Sequence, residues 1–272
     1  MSDYEAALQQ WRSEVEKNLR HEHSWLALAG LFWLEEGENL VGSAPNSAVR
    51  LPERFPEKIG AFHLDGDQVS FRLNGDAPVK LNEKETLSGK HALKADISGE
   101  PDALYLEDLK MMVVVRDGKA AVRVWDPQHP RRGNFKGRKW YPPNSNFRVR
   151  ADIRAYDPPK KVLVDDVLGF QQEGQIDAAL VFKLDGRQHS LDAKYLDSGT
   201  YYVIFQDATA GKGSYPAGRY LVTDKVEGDK VMIDFNRAYN PPCAFTDFAT
   251  CPLPRPENIM DITIEAGEQY PA

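Results

Sequence analysis

Cysteine is scarce in this chain. Cys243 and Cys251 are the only two in 272 residues, too few for a disulfide-built scaffold. Their C-x7-C spacing fits no common zinc pattern and no histidine lies near them in sequence, so no metal is expected. Long apolar runs are missing too, which excludes a helical membrane span. Basic charge does not predominate: 34 Lys and Arg stand against 41 Asp and Glu, a formal net charge of −7. That balance argues against general affinity for nucleic acid or an anionic membrane. The amino terminus, MSDYEAALQQWRSEVEKNLR, lacks the basic start and apolar core of a secretory signal, so a cytoplasmic location is expected. No G-x-S-x-G elbow, H-E-x-x-H pair, internal repeat or low-complexity linker is present, and the six histidines are scattered.

What is present begins with a helix. Tyr4, Leu8, Trp11, Val15 and Leu19 recur at three- and four-residue steps, with Ser2 and Glu5 as a capping box, predicting a helix over Ser2–Arg20. Ser24 is placed to cap a second short helix through Leu31. From about Ala48 the period changes to two. Alternation at Val69, Phe71 and Leu73, the hairpin 111–115/120–125, and runs at 147–156, 161–166, 176–184, 187–196, 201–206, 219–223 and 231–235 predict strands, with Ile262-Thr263-Ile264 as the last. Roughly a dozen strands at near-hairpin spacing indicate a mainly β fold, an antiparallel barrel or sandwich with an N-terminal helical segment. Residues 1–35 read as that segment packed on the body and 36–272 as the β domain, with a sub-boundary near 140–146 at Trp140-Tyr141-Pro142-Pro143.

One stretch stands apart. From Asp234 to Asn258 hydrophobic periodicity vanishes, and prolines at 241, 242, 252, 254 and 256 forbid a helix or a central strand. Phe235, Tyr239, Phe245 and Phe248 nonetheless predict order, so the stretch reads as a proline-stiffened wrap. Asp234, Asn236, Arg237, Tyr239 and Asn240 put an acid, two amides, a guanidinium and a phenol within seven residues. Two readings compete. They line a ligand pocket, or they satisfy the backbone of a non-repetitive loop. Cys243 divides in the same way between a reactive thiol and a small buried one.

Two further stretches carry polar groups. In 205–221 the glycines Gly211, Gly213 and Gly218 lead into a strand rather than a helix, which rules out a phosphate-binding P-loop. Asp207, Thr209 and Arg219 sit at strand ends, where they can reach the mouth of a barrel. In 123–143, Arg123 and Arg132 belong to a basic and aromatic segment that is either an anion-binding lip or a solvated loop.

The run Tyr215-Pro216-Ala217-Gly218-Arg219-Tyr220-Leu221, then Asp234 to Phe245, Cys251-Pro252-Leu253-Pro254, Glu257-Asn258 and Ala266-Gly267-Glu268, resembles a bacterial family catalogued as domain-of-unknown-function family 1684. Trp25-Leu26-Ala27-Leu28, Gly30-Leu31, Phe135 and Trp140-Tyr141-Pro142 extend the resemblance over most of the chain. It implies one family-wide unit and no activity, cofactor or site residue. The residues alone suggest a pocket for a small anionic molecule. Arg219, Asn236, Arg237, Asn240, Thr209, Arg123 and Arg132 are its candidate binding groups, and Asp234, Tyr239 and Asp207 its candidates for metal-free hydrolysis. The alternatives are a non-catalytic module with the wrap as a clasp and, more weakly, a flavin-phosphate site.

Overall fold

A computed structural model describes residues 3–270. The chain divides into two compact units, Leu19–Phe135 and the pair of segments Met1–Asn18 and Lys136–Ala272. Helix α1 (Asp3–Leu19) supplies the first segment of the latter. Its Ser2 cap lies outside the described residues.

The unit Leu19–Phe135 is a two-sheet sandwich. Its strands are β1 (Leu28–Trp33), β2 (Gly37–Gly42), β3 (Val49–Arg50), β4 (Gly60–Asp65), β5 (Gln68–Leu73), β6 (Val79–Leu81), β7 (Glu85–Thr86), β8 (Lys90–Leu93), β9 (Ala103–Leu106), β10 (Leu109–Arg116) and β11 (Lys119–Trp125). A six-stranded sheet in the order β1-β11-β10-β9-β6-β7 faces a five-stranded sheet in the order β3-β2-β4-β5-β8. Between them lies one core, with Val41, Phe62 and Phe71 from the second sheet against Leu104, Met111, Val113 and Val122 from the first. The short helix α2 (Pro130–Asn134) ends the unit.

One expectation fails here. The helix through Leu31 is only a single 3-10 turn, Trp25–Ala27, followed by β1, which pairs antiparallel with β11. The run LAGLFW has no polar residue to mark a period, and an empty edge beside β11 decides it.

The other unit contains β12 (Lys139–Trp140), β13 (Arg148–Asp165), β14 (Gln171–Leu184), β15 (Arg187–Leu196), β16 (Thr200–Phe205), β17 (Arg219–Val222), β18 (Lys230–Asp234) and β19 (Glu268–Gln269). Six of these form an antiparallel sheet in the order β17-β16-β15-β14-β13-β18, curled into a half-barrel. The runs 147–156 and 161–166 are one strand, β13. Its register with β14 shifts between Ala155 and Lys160, so Pro158 and Pro159 fall where no ladder donor is needed. Beyond that shift, β13 and β14 continue as a two-stranded ribbon, Lys160–Asp165 against Gln171–Ile176.

The open side of the half-barrel is filled by irregular chain. Phe235, Ala238, Met260, Ile262, Ile264 and Ala266 join Leu180, Phe182, Leu191, Val203 and Leu221 in a single core. Ile262-Thr263-Ile264 is therefore a plug and not the expected strand. The Ile264 N–H donates to the Asp207 carboxylate at 2.8 Å rather than to a ladder carbonyl. The last strand is β19, paired with β12.

Helix α1 packs on this unit through its predicted stripe. Trp11 meets Trp140 edge-on at 5.6 Å, and the Tyr4 hydroxyl donates to both oxygens of Asp234, at 2.9 and 3.1 Å.

Candidate functional site

The wrap is held by polar side chains, most of them buried and several bonded to main chain. Arg219 on β17 is 1% exposed, and its guanidinium pairs with Asp207 Oδ1 at 2.9 Å. It also donates to the carbonyls of Ala266, Ile264 and Glu268. Asp207 in turn accepts from the Thr209 hydroxyl, the Thr209 N–H and the Ile264 N–H. The Thr209 hydroxyl completes the knot with Ser214 at 2.7 Å. Burial pulls the Arg219 pKa down, while Asp207 holds the charge. A buried guanidinium is tolerable only with this degree of pairing.

Asn236 makes a two-point amide bond to one residue. Its Nδ2 donates to the Asn144 carbonyl at 2.9 Å, and its Oδ1 accepts from the Asn144 N–H at 2.8 Å. Asp234 caps the following 3-10 turn through the Asn236 N–H, and Tyr4 covers its oxygens. Burial, then Asp234, pushes the Tyr4 hydroxyl pKa above its ordinary range. Arg237 pairs with Asp224. Asn240 Nδ2 donates to the Gln269 carbonyl at 3.1 Å, and Tyr239 stacks edge-on against Tyr220 at 6.0 Å. Burial raises the Tyr239 pKa as well.

Two members of this clasp entered the sequence reading only within the family resemblance and not as site residues. Asn258 closes the far end of the wrap, its amide bonded to the Asp192 N–H at 2.7 Å, the Asp192 carbonyl at 2.9 Å and the Ile204 carbonyl at 2.8 Å. Glu268 is buried against Arg138 and accepts from the Asn240 N–H at 2.7 Å. Burial lifts its carboxyl to about 7 despite the pull of Arg138. Two signals were available in sequence. Asn258 follows a proline-dense run, and Glu268 follows a glycine, Gly267, the residue type that tight reversals favour.

Arg123 and Arg132 lie in the other unit. Arg123 on β11 is buried with its guanidinium 5.4 Å from the Trp25 ring. Arg132 in α2 donates to the carbonyls of Pro127 and Arg20. Arg132 also lines a cleft with Leu26, Gln128 and His129 of the same unit.

A groove does open under the wrap, along a different set of residues. Val162, Val164 and Ile176 from the β13–β14 ribbon face Tyr202 and Ile204 of β16, with Pro252 and Leu253 as the third wall. Its volume is ≈ 200 Å³ and its walls are mostly apolar. Gly174 lies between the valines, where a Cβ would come within 3.2 Å of Val164 Cγ2. At one end Asp192 accepts from the Tyr156 hydroxyl at 2.8 Å and pairs with Arg255 at 3.3 Å. Lys194 and Glu173 are exposed at the rim.

A family profile described as "Protein of unknown function (DUF1684)" matches residues 133–269. The chain belongs to the DUF1684 family. Within the matched DUF1684 span fall the wrap, the clasp residues from Arg138 to Glu268 and the whole groove, whereas Arg123 and Arg132 precede it. The chain is also similar to an uncharacterized protein of Haloarcula marismortui solved by solution NMR. The two are 33% identical over 52% of this DUF1684 chain and 80% of that one, with a TM-score of 0.43. No curated protein matches the chain. Among the described residues no helix is long and apolar enough to cross a membrane, and no group of three or more His, Cys, Asp or Glu is placed to hold a metal ion.

Proposed function

We propose that the unit containing the half-barrel is a non-catalytic binding module. Its groove takes a small, mostly apolar molecule ending in one carboxylate, and its wrap is the structural clasp that forms one groove wall. The observation that carries this reading is an apolar groove with a cation at its rim. Lys194 has no ion-pair partner among the described residues, whereas Arg255 is already engaged by Asp192 and Glu257. An ammonium at an apolar mouth favours a ligand with an anionic end and a hydrocarbon body. At ≈ 200 Å³ the groove has room for several waters. Their release on binding an apolar body is favourable.

The clasp supports binding without chemistry. Asp207, Asp234 and Tyr239, the candidates for acid–base work, point into packed or hydrogen-bonded interior rather than into the groove. A general base must reach a substrate proton, and these carboxylates are already surrounded by fixed donors.

The test is a thermal-unfolding screen of the full chain with short aliphatic carboxylates. A ligand at a hundredfold excess over its Kd raises Tm by about 5–10 °C. Ile204→Trp, which fills the groove, and Lys194→Glu, which reverses the rim charge, each abolish the shift. A shift that survives both substitutions, or none across the series, refutes the reading.

A further inference from the structure

The two thiols lie in the wrap, outside the proposed groove. Cys243 is half-buried in the 3-10 turn Pro242–Ala244, while Cys251 is 4% exposed. The Cys243 N–H donates to the Cys251 sulfur at 3.1 Å, which brings the two cysteines side by side. The backbone on both sides is stiff. Pro241 and Pro242 precede the first cysteine and Pro252 follows the second. The Cys251 carbonyl accepts from the Val167 N–H at 3.0 Å, and the Leu253 N–H donates to the Asp165 carbonyl at 2.8 Å.

The surroundings treat the two sulfurs differently. The neighbouring Cys251 thiol and the Tyr215 hydroxyl draw the Cys243 pKa down against the effect of burial. The same hydroxyl donates to the Cys243 carbonyl at 3.0 Å and fixes the turn. The bond to Cys243 and then burial push Cys251 up. A half-buried cysteine that favours the thiolate, its N–H on the sulfur of a buried one that favours the thiol, is the arrangement of an attacking and a resolving cysteine.

We propose that Cys243 and Cys251 are a hydroperoxide-reactive dithiol, with Cys243 the attacking sulfur, Cys251 the resolving one, and an intrachain disulfide across the wrap as product. In the first step the Cys243 sulfur attacks a peroxide oxygen and the O–O bond breaks. The sulfur is oxidised by two electrons to a sulfenic acid, and the departing hydroxide leaves as water with the proton from the thiol. In the second the Cys251 sulfur attacks the sulfenic sulfur. The S–S bond forms, the S–O bond breaks, and hydroxide leaves as water with the Cys251 proton. Per turn, one hydrogen peroxide and two thiols become one disulfide and two waters.

Reduced full-length protein, treated with hydrogen peroxide and then assayed for free thiols and intact mass, tests this. The expected result is loss of both titratable thiols and of two hydrogens in mass, with no dimer formed. In Cys251→Ala, dimedone traps a sulfenic acid on Cys243. In Cys243→Ala, Cys251 reacts at least about tenfold more slowly than Cys243 does in Cys251→Ala. Wild-type protein given substoichiometric peroxide with dimedone in excess needs no variant to fold, and peptide mapping then finds the adduct on Cys243. Two thiols that persist while free cysteine in the same tube is oxidised, an adduct mapped to Cys251, or disulfide-linked dimers would each overturn the proposal.

Discussion

Both units contain a six-stranded antiparallel sheet, but they cover it differently. In Leu19–Phe135 the cover is a second sheet, whose ladders satisfy its own N–H and C=O groups. In the half-barrel the cover is irregular chain, whose backbone groups have no ladder to join. The consequence appears in the buried polar side chains. Only Asn39, Arg123 and Asp126 are of this kind among the described residues of Leu19–Phe135, whereas the other unit has sixteen. A protein that covers a sheet with loop must carry its hydrogen-bond partners inward on side chains. The lesson is general. A cluster of Asp, Asn and Arg in a non-repetitive segment is as much a mark of buried backbone as of a ligand site.

The sharpest way to break the comparison is to remove one partner of the buried pair. Asp207→Ala leaves the Arg219 guanidinium buried without its carboxylate and should cost about 3–5 kcal/mol, read as a fall in the urea midpoint. In the sandwich the Arg54–Asp126 pair is partly exposed on its Arg54 side. The sandwich's largest single loss is expected from a core truncation such as Phe71→Ala, at about 3–5 kcal/mol. If Asp207→Ala were neutral, the clasp would not be what holds the wrap.

A second test uses pH. Glu268 has a folded-state pKa raised from 4.5 to about 7, so the folded protein keeps a proton that the unfolded chain has released. The stability this contributes is present in full below pH about 4.5 and is lost as pH rises through about 7. The swing amounts to about 3 kcal/mol. Denaturation curves between pH 4 and 8 should show it, and Glu268→Gln should flatten them. A Glu268→Gln profile that keeps the wild-type slope would assign it elsewhere.

Smaller effects sharpen the contrast within the wrap. Asn258→Ala removes three hydrogen bonds to main chain and leaves buried groups unpaired, for an expected loss of about 1–3 kcal/mol in chemical denaturation. Lys194→Glu at the groove rim should change stability by no more than about 0.5 kcal/mol while removing carboxylate binding. Calorimetric titration alongside denaturation separates these outcomes. A large stability loss at Lys194 would place it with the clasp.

Much of the fold was legible. Period-two alternation located the hairpins 111–115/120–125 and 176–184/187–196, and the helical stripe from Tyr4 to Leu19 located α1. The aromatic residues among the prolines marked the wrap as ordered. What misled was local ambiguity. Ile262-Thr263-Ile264 alternates as a strand does, but its neighbours are a carboxylate and a barrel core. Val162, Val164 and Ile176 look like any strand residues, and only the path of Pro252 and Leu253 past the ribbon makes them a groove wall. Most of the candidate binding residues prove to be buried polar groups. Whether they face a ligand or main chain depends on partners such as Asn144 and Ile264, far away in sequence.

By itself the sequence determined the strand content, the helix, the stiffness of the wrap and the polar groups it would carry, because periodicity, proline geometry and side-chain chemistry are local. Tertiary structure alone decided which carbonyls those groups would meet and where the groove would open. Those outcomes depend on packing between segments separated by many residues, and no local pattern encodes such a distance.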